Sequence, residues 1–111
     1  MFTRTQQGAV DVIHGDDSLK LDHISDVEKV FTECERHGQP RIVLDLKNVP
    51  LIDSAGLELL LDVRDRCLQK GGALKLARPN HLCRDILDIT GVAARLEIFD
   101  DTVTAAGSFA Q

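Results

Sequence analysis

The segment Leu51-Ile52-Asp53-Ser54-Ala55-Gly56-Leu57 sets one hydroxyl beside a carboxylate and two small residues, where an apolar turn gives way to a leucine-rich helix. A serine in the first turn of a helix lies near amide donors that lack intrahelical partners and near the positive end of the helix dipole. A phosphate is tolerated at such a place. Phosphorylation adds about -1.5 to -2 charges and three acceptor oxygens without breaking the host helix, so its effect falls on whatever docks there. Ala55 and Gly56 keep the neighbouring surface low, which lets another protein approach. A plainer role, Asp53 or Ser54 as helix N-cap, is compatible with the first.

These residues must be positioned by a fold, and its elements are partly readable. At 111 residues, with 43% hydrophobic and 28% charged, the chain is expected to form one domain over residues 1–111, with no room for a second. The first residues alternate weakly around Gly8 and predict one or two edge strands before the turn Gly15-Asp16-Asp17. Ser25-Asp26-Val27-Glu28 has the spacing of a capping box, which would start a helix with Val27, Val30, Phe31 and Cys34 on its apolar face. His37-Gly38 and Pro40 would end it. Arg41 to Leu46 is nearly continuous and apolar, the pattern of a central strand covered on both faces.

A helix from Ser54 to Lys70 follows, with Leu57, Leu60, Leu61 and Leu68 as its apolar positions, an Asp62–Arg66 pair on the wet side, and Gly71-Gly72 as its stop. Ala73 to Ala77 reads as a strand, and Asn80 as the cap of a helix facing the core with Leu82, Ile86 and Ile89 and ending at Gly91. Leu96 to Phe99 gives a last strand. A short terminal helix opened by Asp100 or Asp101 frays near Gly107. Strands alternating with helices define an α/β domain with right-handed crossovers.

Other chemistries fit less well. A hydrolase would need a nucleophile elbow, but Ile52 stands where its first glycine belongs, and the only histidine after Ser54 is His81 at a helix start. A receiver-like reading would use Asp16, Asp17 and Asp45 around Mg²⁺, yet Asp45 is followed by Leu46 inside a strand and the acidic pair reads as a turn. His14, His23 and His37 lack metal-ligand spacing, so no metal is expected, and the glycine motifs of ATP or dinucleotide sites are missing, so no cofactor is expected either. Cys34, Cys67 and Cys83 read as reduced core residues. A net charge of -5 argues against nucleic acid as a partner, and Lys70, Lys75, Arg78 and Arg84 read as a solvated face. The apolar runs are too short to insert in a membrane, and the expected location is cytoplasmic.

The run Ile42-Val43-Leu44-Asp45-Leu46, the short loop, Ile52-Asp53-Ser54-Ala55-Gly56-Leu57 and the leucine-rich helix resemble the signature of the STAS domain, the fold of bacterial anti-sigma factor antagonists. The resemblance covers nearly the whole chain. It implies a single STAS-like α/β domain with a mixed four- or five-stranded sheet and three to four helices, acting as a non-enzymatic switch. In that family the serine matching Ser54 is phosphorylated by an anti-sigma factor that is itself a serine kinase. The unphosphorylated form binds the anti-sigma factor and frees the sigma factor, and a PP2C-type phosphatase restores that form. Carried over, Ser54 is the phosphoacceptor, and Asp53, Ala55 and Gly56 shape the docking surface.

Leu21-Asp22-His23 resembles a second family segment, so Asp22 would help to orient the kinase or the hydroxyl. Here the chain departs from the pattern, with Leu19-Lys20 where the family usually has Gly-Glu. STAS domains also occur in stress-signalling complexes, anion transporters and lipid-transport systems. The alternative reading is therefore an unphosphorylated scaffold or a transport-associated subunit of the lipid ABC transporter type, with Ser54 only a cap.

Overall fold

The computed structural model describes residues 1–36 and 38–110. Strands β1 (Phe2–Gln7) and β2 (Val10–Gly15) form an antiparallel hairpin, and Gly8 supplies the positive φ of 61° that the tight link requires. Of these two strands β1 is at an edge of the sheet. Its run of polar residues leaves an edge poorly suited to adding another chain. β2 instead pairs in parallel with β3 (Arg41–Asp45), so it is interior, and of the one or two edge strands expected here one is found.

β3 is central in the five-stranded order β1-β2-β3-β4-β5, with β4 (Ala73–Ala77) and β5 (Ile98–Phe99) in parallel beyond it. The strand alternation divides two cores. Ile13, Ile42, Leu44, Leu74 and Leu76 face helices α1 (Ile24–Cys34), α2 (Ser54–Gln69) and α3 (His81–Ile89). Val10, Val12, Val43 and Ala77 face the short α4 (Thr102–Gly107), which buries Ala105 and is followed by a 3-10 turn carrying Phe109. The expected mixed sheet and the upper helix count are therefore found.

Several local expectations give way to tertiary contacts. The capping box at Ser25 does not form, because a 3-10 turn at Leu21–His23 runs directly into α1, and no side chain caps that helix. The His23 ring is held 2.7 Å from the Ser18 carbonyl, which fixes the turn one step earlier than the sequence suggests. α1 ends at Cys34, ahead of the expected stop, and His37 lies outside the described residues.

On α2 the buried positions are Gly56, Leu59, Leu60, Val63 and Cys67, while Leu57 and Leu61 sit at the margin and Leu68 is exposed. On α3 Cys83 and Leu87 are buried, Ile86 is half-buried, and the expected anchors Leu82 and Ile89 face solvent, Ile89 with 85% of its surface exposed. Cys83 faces inward, its thiol 3.4 Å from the Val49 carbonyl. All three cysteines are buried and unpaired, and burial pushes the Cys34 thiol up to about 12 and the Cys67 thiol up to about 11, values unsuited to a nucleophile.

The basic residues are mostly occupied. Lys75 is only 8% exposed, with Nζ 2.6 Å from Ser108 Oγ and 4.3 Å from the Phe109 ring centre, so it fastens the C-terminal turn to β4 and is not solvated. Lys70 donates to the Glu35 carbonyl, and Arg66 bonds Glu28 at 2.6 Å and Glu35 at 2.9 Å, joining α1 to α2 in place of the expected pair with Asp62. Arg84 does remain on a wet face, paired with Asp88.

Candidate functional site

The loop between β3 and α2 is short and held from below. Leu46, Val49 and Ile52 are buried, so the backbone between them has little freedom. Asn80 tightens it from the side: its amide donates to the carbonyls of Val49 and Pro50 while its oxygen caps α3 at the Cys83 amide, 2.7 Å away. Next to this loop runs residue Leu19, bridged to Ile52 and bonded through its amide to the Leu51 carbonyl at 3.0 Å.

Asp53 is the hinge of the site. It is the N-cap of α2, one carboxylate oxygen accepting from the Gly56 amide at 2.9 Å, and the other accepting from the Leu21 amide at 3.0 Å. The Gly56 amide, with help from the Leu21 amide, holds the Asp53 carboxyl below its ordinary pKa, so it stays ionised. One side chain thus starts the helix and ties the Leu21–His23 turn beside it.

Ser54 is then the first residue of α2, exposed, and among the described residues its hydroxyl makes no hydrogen bond. The cap belongs to Asp53 alone. Ala55 is half-buried beside Ser54. Gly56 is buried, and an added Cβ would lie 2.2 Å from the Leu19 carbonyl oxygen, so it acts beneath the surface by allowing Leu19 to pass close to α2. Asp22 is exposed on the turn that Asp53 holds, and it has no ion pair among the described residues. The structure therefore brings Asp53, Ser54, Ala55 and the Leu21–His23 turn together at one end of α2.

The sequence reading missed a second polar cluster. Asp45, 4% exposed at the end of β3, accepts from Arg78 Nε at 3.0 Å and Nη2 at 2.6 Å, and lies 3.0 Å from His14 Nδ1. The other ring nitrogen of His14 is 3.0 Å from Thr5 Oγ1. This hydroxyl–imidazole–carboxylate chain has the spacing of a catalytic triad, but Arg78 neutralises the carboxylate and Thr5 stands on an open edge strand, so the cluster is a clamp across β1, β2, β3 and the turn after β4. Arg78 takes a φ of 57° to make it. A signal was present: a carboxylate ending an apolar, doubly covered strand needs a cation, and the neighbouring strand delivers Arg78.

Ser54 has no histidine within hydrogen-bonding reach among the described residues, and His81 is exposed at the start of α3. Among the described residues there is also no grouping of three or more His, Cys, Asp or Glu side chains placed to hold a metal, and no helix long and apolar enough to cross a membrane.

Comparison with known proteins agrees with this geometry. Residues 3–105 match the STAS domain family. An anti-sigma F factor antagonist of Paenibacillus polymyxa is 33% identical over 91 residues, covering 79% of this chain and 78% of that protein. The crystal structure of an anti-sigma factor antagonist from Mycobacterium paratuberculosis superposes with a TM-score of 0.89 at 15% identity, covering 100% of this chain and 94% of that one. The Bacillus cell fate determinant SpoIIAA in its phosphorylated form gives a TM-score of 0.73 at 16% identity, with 100% of both chains covered. With the family matched from β1 to α4 and the Asp53-Ser54 turn at its expected place, the chain belongs to the anti-sigma factor antagonist family of STAS domains.

Proposed function

We propose that this protein is a phosphorylation-switched binding module: with Ser54 unmodified it binds an anti-sigma factor that is also a serine kinase, and the sigma factor is released. The observation that carries this reading is the division of labour at α2. Asp53 supplies the cap and the tie to Leu21, which leaves the Ser54 hydroxyl exposed and without a structural task. Support comes from the relative in Paenibacillus polymyxa, an anti-sigma F factor antagonist, and from the phosphorylated form of SpoIIAA among the fold neighbours.

Acting by binding and not by catalysis, the protein would be phosphorylated by its partner and restored by a PP2C-type phosphatase. Asp22, Asp53 and Ala55 would line the contact around Ser54, with Gly56 holding the Leu19–Leu21 segment in place. A dianion at Ser54 would sit where a partner covers the start of α2, and there its bulk and its desolvation both oppose docking. Intact-mass and peptide mass spectrometry of the protein from its native host tests the modification. A single phosphoryl group on the Ser54 peptide, lost in Ser54→Ala, is expected; an unmodified Ser54 across growth conditions would overturn the switch and leave the scaffold reading.

A further inference from the structure

Along α2 the positions Ser54, Glu58 and Asp62 recur every four residues, so they share one face, at about 6 Å and 12 Å from the serine along the helix axis. Beside that face lies a groove of about 250 Å³ between α1 and α2, lined by Leu21, Ile24, Glu28, Ala55, Glu58, Leu59 and Asp62. Its apolar part includes Leu21, which is 71% exposed. A leucine is held in water there because its own amide is bonded to Asp53. Hydrophobic association rewards covering such a side chain.

The charged residues that line it, Glu28, Glu58 and Asp62, are all acidic. Glu28 is already bonded by Arg66, which it shares with Glu35. Glu58 and Asp62 have no ion pair among the described residues, and Asp62 is left unpaired because Arg66 turns to α1. No lysine or arginine lines the groove.

The geometry points to this groove as the seat of a basic amphipathic segment of the partner: an apolar side chain entering between Leu21, Ile24 and Leu59, with lysine or arginine residues meeting Glu58 and Asp62. The inference deepens the binding role proposed above by giving the chemistry of the partner's contacting segment. It places the main anchor one to two helical turns from Ser54, so the kinase has the serine at the edge of its footprint and not beneath the anchor.

The test uses the full chain and a synthetic amphipathic helical peptide of leucine, lysine and arginine, with a leucine and glutamate peptide of the same pattern as control. Amide shifts in nuclear magnetic resonance are expected to cluster at Leu21, Ile24, Ala55, Glu58 and Asp62 with the basic peptide only. The charge reversal Glu58→Lys with Asp62→Lys, on the solvent side of α2, is expected to weaken binding by about tenfold or more and to reduce its salt dependence. Shifts spread over the acidic surface at large, equal binding of the two peptides, or unchanged affinity in the double variant would each overturn the groove. None of these outcomes depends on whether Ser54 is phosphorylated, so failure here and failure of the switch are separable.

Discussion

Gly56→Ala is expected to destabilise the protein by about 1–3 kcal/mol, against the direction that helix propensity alone predicts. Alanine is favoured over glycine inside a helix by about 1 kcal/mol, and Gly56 is the third residue of α2. The added methyl would lie 2.2 Å from the Leu19 carbonyl oxygen, 2.9 Å from Ile52 Cγ2 and 3.0 Å from Leu19 Cγ. The carbonyl has nowhere to turn, because it accepts the Asp53 amide at 3.1 Å and its residue is bridged to Ile52. Relief must come from moving the Leu19–Leu21 segment away from α2. That motion breaks the Asp53 bond to the Leu21 amide, so the variant should lose amide protection at Leu21 as well as stability. Urea denaturation together with hydrogen exchange checks both; equal or greater stability would show that the close approach is not required.

The second large effect concerns the Asp45 clamp. Asp45→Ala is expected to lower stability by about 3 kcal/mol, since it removes two charge-assisted bonds from Arg78 and leaves that residue in a left-handed backbone conformation with no partner to justify it. Burial raises the pKa of the Asp45 carboxyl, but the Arg78 side chain, the Lys47 amide and His14 outweigh burial, and the folded value lies below the ordinary 3.8. A carboxyl depressed in the folded state stabilises the fold above its unfolded pKa, and the contribution fades as pH falls through the folded one. Wild-type stability should therefore fall below about pH 4, and Asp45→Asn should flatten that limb. The slope that remains would come from Asp53 and Asp101, both held low first by the amides of the helices they cap, and from Asp17, held low first by the N-terminal ammonium. An unchanged acid limb in Asp45→Asn would contradict the assignment.

What the sequence made legible was local. β3 and β4 read correctly because an apolar run between turn signals has little else to be, and the cap at Asn80 is local too, whereas the choice of Asp53 over Ser54 and of Asp101 over Asp100 came only with the structure. The run from Ile52 to Leu57 is equally local, and it is the resemblance of that run to the STAS signature that singled out Ser54 as the candidate phosphoacceptor. The errors lie where distant residues decide. α3 has nine residues and two apolar stripes, and the one that is buried, Cys83 with Leu87, is set by contacts with distant residues, among them those of Cys83 and Asn80 with the Val49 carbonyl. Arg66 has Asp62 one turn away, yet Glu28 on α1 and Glu35 just past its end win it because they offer two carboxylates at a partly buried seam. The same non-locality hid the Asp45 clamp and the groove, since Leu21 and Leu59 meet only after Asp53 has joined the two segments.

The central claim is that the state of Ser54 sets the affinity for the anti-sigma kinase, and calorimetric titration of that purified partner with wild-type, Ser54→Ala and Ser54→Asp proteins tests it most directly. Because Asp53 is the cap, both variants should fold with stability within about 0.5 kcal/mol of the wild type, so affinity is read without a folding artefact. Ser54→Ala should bind as the unmodified protein does, and Ser54→Asp should bind about tenfold more weakly or worse, a loss of about 1.4 kcal/mol. Equal binding by the two variants would contradict the switch.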